Sequence, residues 1–201
     1  ILAIKPQQLE SIKPLLSDIN WSKTCVVSLL AGTPLKRLYD AFPDIKHIIR
    51  VMPNTAASIG ESMSIMTPGE FTSPDWIQTT QDLFNTIGKT LIIPEHLMDF
   101  CTGLCGSGPA YLYAIADALT TLATHQGISQ EDASLLVNQL FLGSAKNLNQ
   151  TIQSPSEMIQ AISSPNGTTV AGLKTFDELS ISSAIQSVIL SAAKRSEELS
   201  Q

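Results

Sequence analysis

Residues 90–122 read TLIIPEHLMDFCTGLCGSGPAYLYAIADALTTL, and the chain changes character inside this stretch. Thr90–Ile93 is a short apolar run of strand type, closed by Pro94. Beyond Pro94 the strand signal stops. Glu95–Leu104 reads as a helix, Gly106-Ser107-Gly108 breaks it, and Pro109 starts the next. Tyr111–Leu122 is apolar nearly all round, with Asp117 its only charge. A helix without a polar face has to be enclosed on all sides. The shift places a domain boundary between residues 94 and 95, and the expected fold class is α/β followed by all-α.

Upstream of the boundary, short apolar runs alternate with amphipathic stretches, the rhythm of βα units and a parallel sheet. The expected strands are Ile1–Ile4, Thr24–Leu30, His47–Met52, Ser62–Met66 and Thr90–Ile93. Gln7–Leu16, Pro34–Ala41 and Pro74–Ile87 read as helices, with Gly88 as a stop signal. Ile1–Ile4 reads as a strand entered midway, because a parallel strand normally follows earlier βα units.

Downstream, Ser129 and Asp132 resemble a capping box for a helix running to about Asn149. Ser154-Pro155 opens a short helix, another runs from near Thr169 to before Ser180, and Ile181, Ile185, Val188, Ile189 and Ala192 mark the face of the last. So many apolar helices are hard to bury in one copy, and a homodimer through this half is expected.

The chain has 201 residues, with 12 Lys+Arg against 18 Asp+Glu, a formal net charge of −6. That balance lacks the basic surplus for nucleic acid, and no apolar run approaches the ~20 residues of a membrane span. The cysteines Cys25, Cys101 and Cys105 are odd in number and too few for a disulfide framework, which favours a reducing, cytoplasmic setting. Their spacing does not suit a metal site. No nucleophile motif stands beside His47, His96 or His125.

The polar signals sit in loops. Ala3-Ile4-Lys5-Pro6-Gln7, Ser28-Leu29-Leu30-Ala31-Gly32 and Arg50-Val51-Met52-Pro53-Asn54-Thr55 each follow an expected strand, at the edge where α/β sheets place ligands. Each also reads as an ordinary connection; Lys5-Pro6 simply starts a helix on that alternative. Ser163-Ser164-Pro165-Asn166-Gly167-Thr168-Thr169 leads into a helix N-terminus, suited to a carboxylate or equally to a plain cap. Gly106-Ser107-Gly108-Pro109 is either a ligand turn or a tight corner between helices, and it is not the glycine pattern of a pyrophosphate site.

AIKPQ at 3–7, SLLAG at 28–32, RVMPNTAASIGES at 50–62, CGSGPAY at 105–111 and SSPNGTTVAGL at 163–173 together resemble the pyrroline-5-carboxylate reductase family. The resemblance spans the whole chain. It implies a Rossmann domain at 1–94 binding NADPH or NADH, and at 95–201 a helical domain that dimerises, often within a decamer. In the family the chain starts earlier, with a glycine-rich βα turn, so the resemblance implies a Rossmann domain short by about 60 residues if two βα units are absent. The loop that discriminates NADPH from NADH belongs to that part. The implied reaction is hydride transfer to the C=N carbon of 1-pyrroline-5-carboxylate, giving L-proline.

On this likeness Ser164, Asn166, Gly167, Thr168 and Thr169 bind the substrate carboxylate, with the Thr169 hydroxyl at the ring nitrogen as the catalytic group. Ala3, Ile4, Lys5, Pro6, Leu29, Leu30, Ala31 and Asn54 line the cofactor, and Gly106, Ser107, Gly108 and Pro109 shape the floor. Cys105, Asn166 and Ala56 depart from the family's usual Ser, Gly and Pro. A β-hydroxyacid dehydrogenase-like enzyme would carry a lysine on the helix after the Gly-rich corner, which Tyr111–Leu122 lacks. A catalytically inactive, purely helical dimerisation module is the other alternative.

Overall fold

The computed structural model describes residues 1–16 and 19–199. Among the described residues, four strands form one sheet in the order β1 (Cys25–Ser28), β2 (His47–Met52), β3 (Ser62–Pro68), β4 (Gly88–Ile92). β1 and β2 are parallel, with Ser28 opposite Arg50, and β3 and β4 are parallel, with Ser62 opposite Gly88. Between these pairs, β2 and β3 run antiparallel, Met52 facing Ile65. The sheet is therefore mixed, which corrects the all-parallel expectation. A parallel crossover needs a dozen or more residues. Only the single turn Thr55–Ile59, ended by Gly60 at φ 77°, fits between Met52 and Ser62.

Ile1–Ile4 is not a full strand either. Leu2 alone bridges to Ser28, its N–H on the Val27 carbonyl at 2.7 Å and its carbonyl accepting from Leu29 N–H at 3.0 Å. Pro6 then starts a tight 3₁₀ turn, so the chain leaves the sheet at once. Gly88 likewise does more than stop a helix: α3 (Pro74–Asn85) has already ended, and Gly88 opens β4.

Side-chain alternation explains the layering. Val26 and Ile48 pack with Leu9 of α1 (Leu9–Ile12) and with Leu35, Leu38 and Ala41 of α2 (Leu35–Ala41). Val27, Ile49, Val51 and Met66 face the other way, against Phe84 of α3. Arg50 shares the α2 face by the same two-residue period. It is only 4% exposed.

The expected helix over 95–104 is three pieces: a 3₁₀ turn Glu95–Leu97, α4 (Met98–Cys101) and a π-helical turn Thr102–Gly106. Then come α5 (Gly108–His125), α6 (Gln130–Gln150), α7 (Pro155–Ile162), α8 (Thr168–Glu178) and α9 (Ile181–Leu199). Ser129 caps α6 by accepting from Asp132 N–H at 3.1 Å. Ser154 and Glu157 make the full reciprocal box on α7.

The chain forms two compact units, Ile1–Pro109 with Val188–Gln201, and Ala110–Ser187. In the first, the end of α9 lies on the sheet half. Ser196 donates to Asp99 at 2.6 Å, and a side chain at Gly103 would press on the α9 backbone at Ala193. In the second, Ala133 and Val137 of α6 are buried, while Leu135, Leu136 and Leu140 remain exposed. No helix among the described residues is long and apolar enough to cross a membrane.

Candidate active site

Three of the four loops come from the sheet unit. Because the Leu2 bridge and β2 both run parallel to β1, the segments after Leu2, Ser28 and Met52 leave the sheet at one edge. There the first two loops meet in a cavity of about 220 Å³ lined by Pro6, Gln7, Ala31, Arg37 and Leu199. Ala3 and Lys5 are exposed and Ile4 is half-buried against the core; none of the three lines the cavity. The Lys5 N–H is taken by the Gln8 side chain at 3.0 Å. Leu29 packs under Val27 and Ile49, and Leu30 is 2% exposed within the core. Both therefore steady the loop by their side chains, with the Leu29 N–H on the Leu2 carbonyl and the Leu30 N–H on Ser28 Oγ, while Ala31 lines the cavity.

Asn54 is built in tightly. Its backbone N–H donates to Ser62 Oγ at 3.1 Å, Oδ1 accepts from Ala56 N–H at 3.1 Å, and Nδ2 donates to the Cys105 carbonyl at 3.2 Å. It thus ties the end of β2 to the π turn that leads into Gly106-Ser107-Gly108-Pro109. A π turn inside a helix often marks a functional position.

The fourth loop belongs to the helical unit. Asn166 adopts a left-handed backbone, φ 59°, and Gly167 N–H donates to the Ser164 carbonyl at 2.9 Å, closing the turn. A Cβ at Gly167 would collide with Ser164 Oγ. Gly167 is also the N-cap of α8, with no side chain to accept from the first helical N–H groups. Those of Thr168 and Thr169 precede the first intrahelical bond, Ala171 N–H to Gly167 carbonyl. Ser164, Asn166 and Thr168 are exposed, and Thr169 is half-buried.

No group of His, Cys, Asp and Glu among the described residues is placed to hold a metal. Burial pushes the Cys101 thiol up, and burial together with the neighbouring Cys101 does so for Cys105, so neither is an activated nucleophile. His47 is engaged with the Phe71 carbonyl at 2.9 Å.

Sequence reasoning missed one feature of this edge, an ion pair between Arg50 and Glu95 at 2.9 Å. The signal was present in HIIRVM. A cation inside an otherwise apolar strand requires a partner when it is buried.

A mixed sheet with three of its loops leaving at one edge, followed by a helical part, defines a two-part α/β plus all-α architecture. Residues 95–199 match the family described as pyrroline-5-carboxylate reductase dimerisation. The pyrroline-5-carboxylate reductase of Methanosarcina acetivorans is 36% identical over 199 residues, 99% of this chain and 74% of the relative. That of Arabidopsis thaliana is 35% identical over 202 residues, covering 100% and 72%. The crystal structure of Plasmodium falciparum pyrroline carboxylate reductase with NADP bound superposes with a TM-score of 0.90 at 27% identity, covering 99% of this chain and 80% of that one. The Streptococcus pyogenes enzyme gives 0.88 at 34%, covering 98% and 74%. The chain belongs to the pyrroline-5-carboxylate reductase family.

Proposed function

We propose that the chain reduces 1-pyrroline-5-carboxylate to L-proline with NADPH or NADH. The observation that carries this reading is the uncapped start of α8. A left-handed Asn166 and a side-chain-free Gly167 leave backbone N–H groups open at the positive end of a helix, with two threonine hydroxyls on its first turn. That is a receptor for a carboxylate.

In this reading Ser164, Asn166, Gly167 and Thr168 bind the substrate carboxylate, and the Thr169 hydroxyl hydrogen-bonds the ring nitrogen to orient the imine. At the sheet edge, Ala3, Ile4, Lys5 and Pro6, with Leu29, Leu30, Ala31 and Asn54, hold the cofactor. These residues suit a flat ring: Ala31 and Pro6 present small apolar surfaces to a shared cavity, while Leu30 is anchored in the core beneath. A reduced nicotinamide, when bound, supplies the hydride for the C=N carbon. The protein's own part is to fix the imine, neutralise its carboxylate and exclude water.

Residues 1–94 act as the nucleotide-binding part and 95–201 as the dimerisation and substrate part, a division supported by the family match that begins at residue 95. The active form is a homodimer, assembled further into a decamer, working in the cytoplasm on a small molecule, without nucleic acid or membrane. All three cysteines are free thiols, as a reducing compartment requires.

The test follows dinucleotide oxidation by 1-pyrroline-5-carboxylate with the protein as its gene encodes it. Thr169→Ala is expected to lower kcat/KM about 10- to 100-fold, with Thr169→Ser recovering most of the loss. Turnover indifferent to both changes removes Thr169 from the reaction. No turnover by the folded wild type sinks the assignment.

A further inference from the structure

The single oxygen Oε1 of Glu95 joins three parts of the sheet unit. It accepts from Arg50 Nη1 at 2.9 Å and from the backbone N–H of Leu35 at 2.6 Å. Arg50 is buried on the α2 face of β2, where a guanidinium has to find a carboxylate or pay the cost of an unpaired charge. Leu35 is the first residue of α2, and the residue before it is Pro34, whose side chain offers no acceptor. Glu95 therefore does from 60 residues away what a local cap usually does.

The position of Leu35 gives this contact its meaning. Between Ser28, the last residue of β1, and Leu35 runs the loop Leu29–Pro34, which holds the proposed cofactor surface Leu29–Ala31. Both ends of that loop are referred to Arg50. Ser28 is opposite Arg50 in the parallel ladder, and Leu35 reaches Arg50 through the Glu95 carboxylate. At the other end of the segment that Glu95 opens, the Cys105 carbonyl is held by Asn54, four residues beyond Arg50.

We infer that Glu95 is a positioning residue for the dinucleotide: through Arg50 and the Leu35 amide it fixes the loop Leu29–Pro34 at the sheet edge. It touches no reacting atom. The inference rests on the assignment of Leu29–Ala31 to the cofactor.

The experiment measures KM for NADPH, KM for 1-pyrroline-5-carboxylate and kcat in the protein as its gene encodes it, for Glu95→Ala, Glu95→Gln and Glu95→Asp. Glu95→Ala is expected to raise the NADPH KM about tenfold while the other KM stays within about twofold. Glu95→Gln keeps an oxygen for the Leu35 N–H and is expected to recover most of the loss. Should Glu95→Ala fail to fold, Glu95→Asp takes its place. It shortens the reach by one methylene and is expected to raise the NADPH KM several-fold. Thermal unfolding is recorded for each variant. A lowered Tm with an unchanged NADPH KM, or both KM values rising together, overturns the inference. Ala31→Glu separates the two layers of the argument. If it too leaves the NADPH KM unchanged, the loop is not the cofactor surface and both readings fall. If it raises that KM while the Glu95 variants do not, only the role of Glu95 falls.

Discussion

At Asn166 the family's usual glycine is replaced without loss of the turn. The residue sits at φ 59°, a region closed to most side chains, where Asn and Asp are the common exceptions. Asn166→Ala is expected to lower stability by about 1 kcal/mol, and Asn166→Gly to change it by no more than a few tenths. Thermal unfolding of both variants checks this, and an alanine as stable as the wild type would mean that the turn is not held left-handed. The two other departures have local explanations. Cys105 takes part through its carbonyl, which serine offers equally. Ala56 supplies an N–H to Asn54 Oδ1 that a proline at this position would lack. Cys25 carries a pH prediction. Burial pushes its thiol from the ordinary 9.0 to about 11. With the folded value raised, its contribution to stability is whole below pH 9.0 and is lost as pH climbs through about 11. Denaturant midpoints of wild type and Cys25→Ala are expected to differ least favourably for the wild type above that range, and parallel pH profiles would contradict this.

Among the elements, most strands and helices were legible because their periods are intact, whereas strand direction was not, nor that the expected helices Gln7–Leu16 and Glu95–Leu104 are each broken into short 3₁₀, α or π turns. The pattern HIIRVM fixes β2 as buried on both faces, yet says nothing of which way β3 runs. The short link through Asn54 and Gly60 decides that, by leaving no room for a crossover helix. Ile1–Ile4 has the composition of a strand, but Pro6 confines its pairing to Leu2. The loops of the site were readable as positions, since strand ends and a helix start follow from the pattern. The Arg50–Glu95 contact was not, because its partners are separated along the chain and only the fold brings them together. Gly88 shows the same limit. Its φ of 149° and its approach to Ser62 serve the β3–β4 ladder, and a Cβ there would collide with the Ser62 backbone. Backbone cannot yield as a flexible side chain can. Gly88→Ala is expected to cost about 2 kcal/mol or more, read as a lower urea midpoint with an unchanged slope. A midpoint equal to the wild type would show that β4 can shift away from Ser62.

For the whole molecule the decisive quantity is apolar surface left outside the single chain. No residue of α5 is buried, although Leu112, Tyr113, Ile115 and Leu122 lie along it, and α6 adds Leu135, Leu136, Leu140 and Leu142. Fully burying a leucine contributes roughly 1.5–3 kcal/mol, and these six leucines with Tyr113 and Ile115 are each about half exposed, so covering them in both copies contributes roughly half of that apiece toward offsetting the entropy of association. Scattered exposed leucines need no explanation, but a concentration on two consecutive helices does. Residues 95–199, which include both helices, match a dimerisation family, and we propose that a second copy of the same helices covers them. Light scattering is expected to give an even multiple of the protomer mass for the wild type. Leu112→Asp combined with Leu136→Asp is expected to move the mass toward the protomer and to lower the Tm, because each carboxylate would have to be desolvated in the interface. Leu15 offers the control, since it is 81% exposed on the sheet unit and Leu15→Asp is expected to leave the mass unchanged. A wild type at protomer mass across the micromolar range would overturn the argument. So would a doubly charged variant that still assembles, because these helices would then not be the surface that joins the copies.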